Sequence, residues 1–538
     1  MTIESNLIDI RNKTIYPVRI TVRKDKITQV KVIDKADNYI LPGFIDAHVH
    51  IESSMLVPSE FAKIAVTHGT VATVSDPHEI ANVLGKEGVY YMIDNGKKVP
   101  FKFNFGAPSC VPATAFETAG AVFTATDIDE LMSRKDIKYL AEMMNWPGVI
   151  FEDPSVKNIL EVAKKHQKPI DGHAPGLMGE QALAYLSKGI STDHECYMLE
   201  EGRFKLDNGM KVIIREGSAA KNFNTLEPLI EAHYEQMMFC SDDKHPDDLV
   251  IGHINLLVKR ALAKGHDLFK VLQMACINPV AHYKLDVGTL QKGDFADFIM
   301  IDNLNDFTIL KTFINGQLVA ERGQSFIKTE TEKIINNFHL NFKKPTDFEI
   351  ALEKDTINVI EVRDGQLITN KTIGTIKLNN GKGDPSVSDD ILKIVVVNRY
   401  FDAPVAVAFI KNFGLKRGAI ASSVAHDSHN IIAVGVDNAA ICKAVNALIE
   451  HKGGLSAVTD DTIDVLPLPV AGLMSTDTCE IVAKKYTQLI KKTRDMGSTL
   501  TSPYMSLSFM ALLVIPSLKL SDKGLFDGEK FQFCPVEV

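Results

Sequence analysis

The amino-acid sequence predicts an α/β protein built on a TIM-type (β/α)8 barrel, with a small β domain formed from both flanks of the barrel and an additional C-terminal α+β domain. Between residue 39 and about residue 243, short β-rich runs alternate with longer amphipathic segments, as in repeated βα units. Eight such runs can be counted. Nearly every run begins apolar and ends in His, Asp, Glu, Ser or Cys, which is expected where strand ends build an active site.

The eight predicted strands and their intervening helices form a metal-binding barrel, whose bounds are set at residues 41–284. In order the strands are YILPGFIDAHVH, TVATVSDPH, FKFNFGAPSC, GVIFED, KPIDGHAP, GISTDHE, KVIIREGS and QMMFCSDD. Segments between them, such as SVKNILEVAKKHQ and DIDELMSRKDIKYLAEMMN, are interpreted as helices from their apolar spacing. A helix start is also predicted at KHPDDL, with Pro246 in the first turn.

The flanks of this region follow a different pattern. Residues 1–40 and 285–345 alternate like antiparallel strands, with turn signals KGD and NGQ in the second piece. Because the two pieces enclose the barrel, we expect them to form one composite β domain. Residues 346–538 start again with β-rich segments and Gly-rich turns, which predicts a separate α+β domain that is a possible active-site lid.

Composition limits the partners of the chain. A net charge of −9 argues against non-specific binding to a phosphate backbone, and apolar runs such as FMALLVIPSL are shorter than the roughly 18 residues of a membrane-spanning helix. Neither nucleic acid nor membrane is therefore expected as a partner. The seven cysteines form no CxxC pairs, which predicts reduced thiols. The N-terminal residues do not follow the pattern of a secretory signal peptide, so a cytoplasmic location is expected. A homo-oligomer, a dimer, is expected.

The first predicted strand ends in an HxH motif that suggests a metal site. In an extended strand side chains alternate between faces, so His48 and His50 point the same way. Potential ligands also occur at the ends of later strands, and a carboxylate among them can bridge two ions. The complete candidate set is His48, His50, Glu152, His173, His194 and Asp242. Nitrogen and oxygen ligands without thiolate suit Zn, Mn, Fe or Co. A single His in such a loop is more often a packing residue, but the ordered set favours a metal site.

Several motifs resemble a known family. PGFIDAHVH, DGHAPG, STDHE and CSDD are similar to the amidohydrolase superfamily of metal-dependent hydrolases, as are LQKGDFADFIMID and TFINGQLVAERG. HVHIESSM, VSDPHEIANV, PSCVPAT, FEDP, GHAPGL and REGSAA resemble more closely the bacterial-type adenine deaminases. The likeness is dense over residues 30–325 and sparser over residues 395–538, in HDSHNI and LPLPVAGLMS.

The resemblance implies hydrolysis of adenine to hypoxanthine and ammonia in purine salvage, by attack of a metal-activated hydroxide at C6. It makes His48, His50, His173, His194 and Asp242 metal ligands, and it places the strand-four carboxylate at Glu152 where many relatives have a carboxylated lysine. The implied cofactor is a pair of divalent metal ions, with Mn(II) or Fe(II) favoured and Zn(II) allowed.

The remaining site residues are nominated by the local motifs alone. Asp242 is expected to transfer the proton, with Glu52 and Glu79 as further catalytic candidates. The predicted substrate-binding residues are Ser53, Arg215, His426 and His429. Glu79 is equally typical of a first-turn helix glutamate. The HDSHN segment is open to three interpretations, namely a lid over the purine, an additional metal site or a solvated turn.

Two alternative functions remain open from the sequence. A cyclic amidase or N-acyl deacetylase would use the same metal pair on an amide carbonyl, and a non-catalytic scaffold would keep only the fold. The zinc site of cytidine deaminases combines HxE with PCxxC, a pairing that this chain lacks.

Overall fold

The computed structural model describes residues 1–329 and 332–538 as a mixed α/β protein. The strands of the N-terminal half are β1 (Thr2–Asp9), β2 (Thr14–Arg23), β3 (Lys26–Val32), β4 (Tyr39–Pro42), β5 (Phe44–Val49), β6 (Thr70–Ser75), β7 (Lys102–Ala107), β8 (Ile137–Met143), β9 (Ile170–Gly172), β10 (Thr192–Asp193), β11 (Lys211–Arg215) and β12 (Met237–Cys240).

The later strands begin after the last barrel helix. They are β13 (Phe298–Ile301), β14 (Ile309–Ile314), β15 (Gln317–Glu321), β16 (Gln324–Ser325), β17 (Thr356–Glu361), β18 (Asn370–Thr375), β19 (Lys377–Asn379), β20 (Lys382–Asp384), β21 (Ile391–Val397), β22 (Ala406–Lys411), β23 (Ala419–Ser422), β24 (Ile431–Gly435), β25 (Gly454–Val458), β26 (Ile463–Pro467), β27 (Leu518–Ser521), β28 (Gly524–Asp527) and β29 (Gln532–Phe533).

The helices lie mostly between the barrel strands. They are α1 (Pro58–Thr67), α2 (His78–Leu84), α3 (Lys86–Gly96), α4 (Ala125–Met132), α5 (Trp146–Ile150), α6 (Pro154–His166), α7 (Gly179–Ser187), α8 (Leu199–Asp207), α9 (Phe223–Leu226), α10 (Ile230–His233), α11 (Pro246–Ile251), α12 (Ile254–Ala263), α13 (Leu268–Leu272), α14 (Asn278–Tyr283), α15 (Asn438–His451), α16 (Cys479–Asp495) and α17 (Pro503–Ser508). Helix α11 begins at Pro246, as the sequence predicts.

One sheet joins the two flanks of the chain. Its strand order is β16-β15-β14-β13-β4-β1-β2-β3, so strands from before residue 43 pair with strands from after residue 297. β13 runs antiparallel to β4, from Phe298 opposite Pro42 to Ile301 opposite Tyr39. The run YILPGFIDAHVH, interpreted as one strand, is therefore two strands in two sheets, divided at Gly43.

The eight parallel strands β5 to β12 form two hydrogen-bonded sheets instead of the single closed sheet that the sequence predicts. β5 to β9 pair in order, and β10 to β12 form a separate three-stranded sheet. Isolated parallel bridges connect the two sheets, from Ile170 to Ile190 on one side and from Val49 to Asp242 on the other. β5 and β6 are buried on both faces, as expected for parallel strands covered by helices.

The prediction for strand four was wrong. GVIFED covers only the end of helix α5, from Gly148 to Ile150, and the turn after it, whereas the strand is β8, Ile137–Met143, within a segment interpreted as a helix. The residues Leu, Ala, Glu and Met of β8 are good helix formers, and their apolar spacing fits a helical period. Burial between β7 and β9 outweighs this local preference.

The C-terminal part contains a second large sheet, with strand order β18-β17-β22-β21-β24-β23-β25-β26. Helix α15 packs on this sheet, and α16 packs on α11 of the barrel region. The largest buried apolar cluster includes Ala47 and Val74 from barrel strands together with Leu466 and Leu507 from the C-terminal part. The two parts therefore share a continuous core. Within residues 1–329 and 332–538, no helix has the length and apolar character needed to cross a bilayer.

Candidate active site

The HxH motif lies at the carboxyl end of β5, where both imidazoles are buried. The Nε2 atoms of His48 and His50 face each other at 3.1 Å. Asp242 follows β12, and its backbone N–H donates to the carbonyl of His48 at 3.0 Å. This contact brings Asp242 Oδ1 to 3.5 Å from His48 Nε2 and 3.2 Å from His50 Nε2. Three predicted ligands thus surround one point.

Glu142, at the end of β8, joins this group to a second one. Its Oε1 lies 3.3 Å from His50 Nε2, while its Oε2 lies 2.8 Å from His173 Nδ1 and 3.3 Å from His194 Nε2. Each oxygen therefore faces a different histidine group. This is the arrangement expected of a carboxylate that bridges two cations.

The structure does not place Glu152 at the site, in contrast to the sequence prediction. Glu152 lies on the surface, where its Oε1 accepts from Lys188 Nζ at 2.6 Å and its side chain is 60% exposed. The error follows from the strand-four assignment, because the glutamate that ends the true fourth strand is Glu142. A single charged residue inside the apolar run YLAEMM was the signal that could have identified it.

The donor atoms fit divalent cations. Ligands at about 2.0–2.1 Å from a tetrahedral ion lie roughly 3.3 Å apart, which is close to the 3.1–3.5 Å separations among His48, His50 and Asp242. The charges around His50 also favour a bound cation. Although burial opposes protonation of His50, contacts with Asp242 and Glu142 raise its pKa well above the usual value. The carboxylates therefore favour positive charge at this position, and a metal ion can supply it in place of a proton.

Arg215 contacts the same carboxylate from the other side. Its Nη1 donates to Asp242 Oδ2 at 2.8 Å, and the guanidinium also pairs with Glu195, with Nη2 3.0 Å from Glu195 Oε2. Burial would raise the pKa of Asp242, but the Arg215 charge and contacts with His48 and His50 outweigh it and hold this pKa well below its usual range. Asp242 is thus ionised and fixed in orientation.

Glu52 and Ser53 are buried but do not line the cleft that the ligands surround. Glu52 Oε1 accepts from the backbone N–H of Ile80 at 3.2 Å, and burial raises the pKa of its carboxyl to about 7. The hydroxyl of Ser53 donates to Asp243 Oδ1 at 2.5 Å. Both residues support the wall behind the site.

Glu79 stands in the first turn of α2 and contacts both histidines of the HDSHN segment. His426 Nδ1 lies 2.6 Å from Glu79 Oε1, and His429 Nε2 bonds to Glu79 Oε2. Although burial lowers the pKa of both imidazoles, the adjacent Glu79 carboxylate raises that of His426 to about 9, whereas that of His429 falls to about 4. His426 is therefore the cationic member of this triad at neutral pH.

These groups open into one cleft. Of the predicted residues it is lined by His50, Glu79, His173, His194, Arg215, Asp242 and His426, while His48 and His429 stand behind the wall. An apolar side is supplied by Leu367, Phe509, Leu512 and Ile515 of the C-terminal part. The HDSHN segment is thus neither a solvated turn nor remote from the barrel, since His426 faces the ligands within the same chain.

Sequence reasoning missed several polar residues that line the cleft. They are His78, Glu142, Glu195, Asp243 and Asp427. His78, Glu195 and Asp243 stand directly beside residues that were selected, so each lay inside a quoted motif. His78 Nδ1 lies 3.1 Å from Asp76 Oδ2 and 3.6 Å from Glu142 Oε1, which extends the polar network along β6 and β8.

Comparison with known proteins assigns both large parts of the chain. Residues 39–319 match the amidohydrolase family, and residues 366–532 match the adenine deaminase C-terminal domain. A protein of a Sulfurovum species named adenine deaminase is 54% identical, over 99% of this chain and 99% of its own length. Proteins of the same name are 52% identical in Borreliella burgdorferi, over 99% of this chain and 98% of that protein, and 50% identical in Salinibacter ruber, with the same coverage.

Proposed function

Because the chain belongs to the adenine deaminases of the amidohydrolase superfamily, we propose that it hydrolyses adenine to hypoxanthine and ammonia in the cleft between the barrel region and the C-terminal part. The observation that carries this proposal is Glu142, whose two oxygens face two separate histidine groups inside that cleft. Such a bridge suits hydrolysis with two metal ions and has no use in a non-catalytic scaffold.

The ligands divide between two cation positions. His48, His50 and Asp242 would hold one ion, His173 and His194 the second, and Glu142 would contact both. Bound divalent metal would supply an activated water at neutral pH and polarise the purine. The nitrogen and oxygen donor set favours Mn(II) or Fe(II), with Zn(II) also compatible.

Asp242 is the proposed proton carrier. Its Oδ1 faces the first cation position, and its Oδ2 is fixed by Arg215. The ionised carboxylate can accept a proton at Oδ1 from the attacking water and pass it to the departing amino nitrogen. Arg215 orients this carboxylate and keeps it charged, and Glu195 pairs with the remaining positive charge of the guanidinium.

His426 is the proposed donor to a purine ring nitrogen. Its Nδ1 is engaged by Glu79, so its Nε2–H remains available to a ligand in the cleft. Attack at C6 of an electron-rich purine places negative charge on the ring, and a cationic imidazole stabilises that charge. His429 supports the arrangement by holding the second oxygen of Glu79.

The wider assignments rest on the same family. We propose a composite β domain from residues 1–40 and 285–345, a metal-binding barrel over 41–284 and a C-terminal domain over 346–538 that acts as the lid. This division is supported by the sheet that joins the two flanks and by the C-terminal residues that line the cleft. We also propose a homodimer that serves purine salvage in the cytoplasm, a location with which the seven free cysteines are in keeping.

Turnover of adenine by purified protein tests the function directly. Metal-free protein is reconstituted with Mn(II) and incubated with adenine, and hypoxanthine and ammonia are measured separately. We expect both products in equal amounts, with the activity depending on added metal. N-acetylated sugars and cyclic amides serve as competing substrates. Hydrolysis of one of these, with adenine unchanged, would favour the amidase alternative.

A further inference from the structure

A second cavity lies outside the catalytic cleft. This vestibule, of about 200 Å³, is lined by Ser218, Ala219 and Lys221 from the loop after β11 and by Gln366, Ser502 and Ser506 from the C-terminal part. It lies at the seam between the two parts.

Of the residues that the structure describes, only Leu367 and Phe509 line both the vestibule and the catalytic cleft. Phe509 is 4% exposed, and its ring stacks on the imidazole of His426 with centroids 4.4 Å apart. Leu367 packs against the same apolar cluster, which also contains Leu512 and Ile515. These two side chains are thus the partition between the two spaces.

A buried lysine ties the two partition residues together. Lys519 lies on β27 with no exposed surface, and its Nζ donates to the backbone carbonyl of Leu367 at 2.7 Å and to that of Phe509 at 2.9 Å. Among the described residues no carboxylate forms an ion pair with it. Burial lowers the pKa of Lys519 to about 7. Burying an ammonium group without a counter-ion costs free energy. In return, the two hydrogen bonds fix the backbone of Leu367 and of Phe509 relative to each other.

We propose that Leu367 and Phe509 form a gate that admits unsubstituted purine bases to the catalytic cleft, and that Lys519 is the positioning residue that holds the gate closed to larger purines. This inference rests on the proposed function. With C6 directed at the histidine and carboxylate ligands, the N9 edge of the bicyclic ring points to the opposite side of the cleft. Leu367 and Phe509 belong to the apolar side of the cleft, opposite the ligands. A substituent on N9 of the purine would therefore contact these two side chains.

The gate is tested by substrate selectivity. The ratio of kcat/KM for 9-methyladenine to kcat/KM for adenine is measured in wild type, Leu367→Ala and Phe509→Ala. Because one methyl group in an apolar pocket changes specificity by about 10- to 200-fold, we expect this ratio to rise at least about tenfold in both variants. Ile368→Ala is the matched control, because Ile368 is adjacent, exposed and lines neither space. An unchanged ratio in both gate variants overturns the gate.

The positioning role is tested at Lys519. Lys519→Met keeps the length of the side chain but removes its donors, whereas Lys519→Gln keeps an amide donor. We expect a several-fold rise of the same ratio in the methionine variant, partial return in the glutamine variant, and kcat for adenine within about twofold in both. A folded Lys519→Met protein with wild-type selectivity overturns this role. If it does not fold, Leu367→Ala still decides the gate.

Failure of the proposed function is recognised separately. Wild-type protein that leaves adenine unchanged refutes the deaminase assignment. The gate is then judged by calorimetric binding of adenine and 9-methyladenine to the same variants, where the ratio of dissociation constants must shift in favour of 9-methyladenine. Absence of that shift, or of any purine binding, overturns the gate.

Discussion

Replacing Glu142 with glutamine isolates the charge that joins the two histidine groups. The side chain is 3% exposed and contacts three imidazole nitrogens at 2.8–3.3 Å. Glutamine preserves its shape but removes the negative charge from a buried site. Removing one partner of a buried charge pair costs about 3–5 kcal/mol, which corresponds to a metal affinity weaker by roughly two to three and a half orders of magnitude.

The assay measures bound metal per chain during chelator titration, together with kcat/KM for adenine. Glu152→Gln is the matched control, since it makes the same chemical change at the glutamate that the sequence suggested. Glu152 is exposed and pairs only with Lys188 in the described structure, so we expect metal content and turnover to stay at the wild-type level. Wild-type metal affinity in Glu142→Gln, or metal loss in Glu152→Gln, would refute the assignment of the bridge.

Three further changes probe other parts of the site. Asp242→Asn should retain part of the metal while kcat falls by about 10²- to 10⁴-fold, because an amide offers an oxygen ligand but cannot accept the proton; unchanged kcat would require another base. His194→Ala should lose metal and activity with its melting temperature nearly unchanged, as measured by metal analysis and circular dichroism; full metal content would remove His194 from the ligand set. Because the pKa of His426 is raised to about 9, its imidazole is protonated below that pH. We therefore expect kcat/KM of the wild type to fall as pH rises through about 9. This alkaline decrease should be absent in His426→Gln. An identical pH profile in the variant would exclude His426 as the proton donor.

The candidate histidine ligands could be selected from the sequence because their signal is local. Period-two alternation places His48 and His50 on one face of β5, and the barrel rule brings the ends of β9 and β10 to the same rim as that of β5. His173 and His194 occupy those ends, and the structure places both beside Glu142. Neither inference needs knowledge of how distant segments pack.

Glu142 could not be identified in this way, because its strand resembles a helix. The residues of β8 have high helix propensity, and only pairing with β7 and β9 makes them a strand. A non-local contact therefore outweighed the local pattern. The mistaken strand then supplied a plausible but wrong glutamate, Glu152, since GVIFED also ends in acidic residues. Counting strands by turn signals alone cannot detect such an exchange.

The position of the C-terminal part also depends on tertiary packing. HDSHN carries no ligand spacing as specific as HxH, so a lid, a metal site and a turn remained open. The distinguishing contact is with Glu79, which is 347 residues away from His426 in sequence. A single sequence holds no pattern that links two such segments, although each was selected for its own polar residues.

This long-range contact ties the chemistry to the packing of the two parts. Burial alone lowers the pKa of His426, and the Glu79 carboxylate reverses that effect. Glu79 belongs to α2 on the barrel side, whereas His426 follows β23 in the C-terminal sheet. Neither part by itself therefore holds a buried imidazolium directed into the cleft. The proposed proton donor to the purine ring lies where the two parts meet, and Phe509 stacks on His426 at the same place. The proposed acid therefore depends on the contact between the two parts that also covers the cleft.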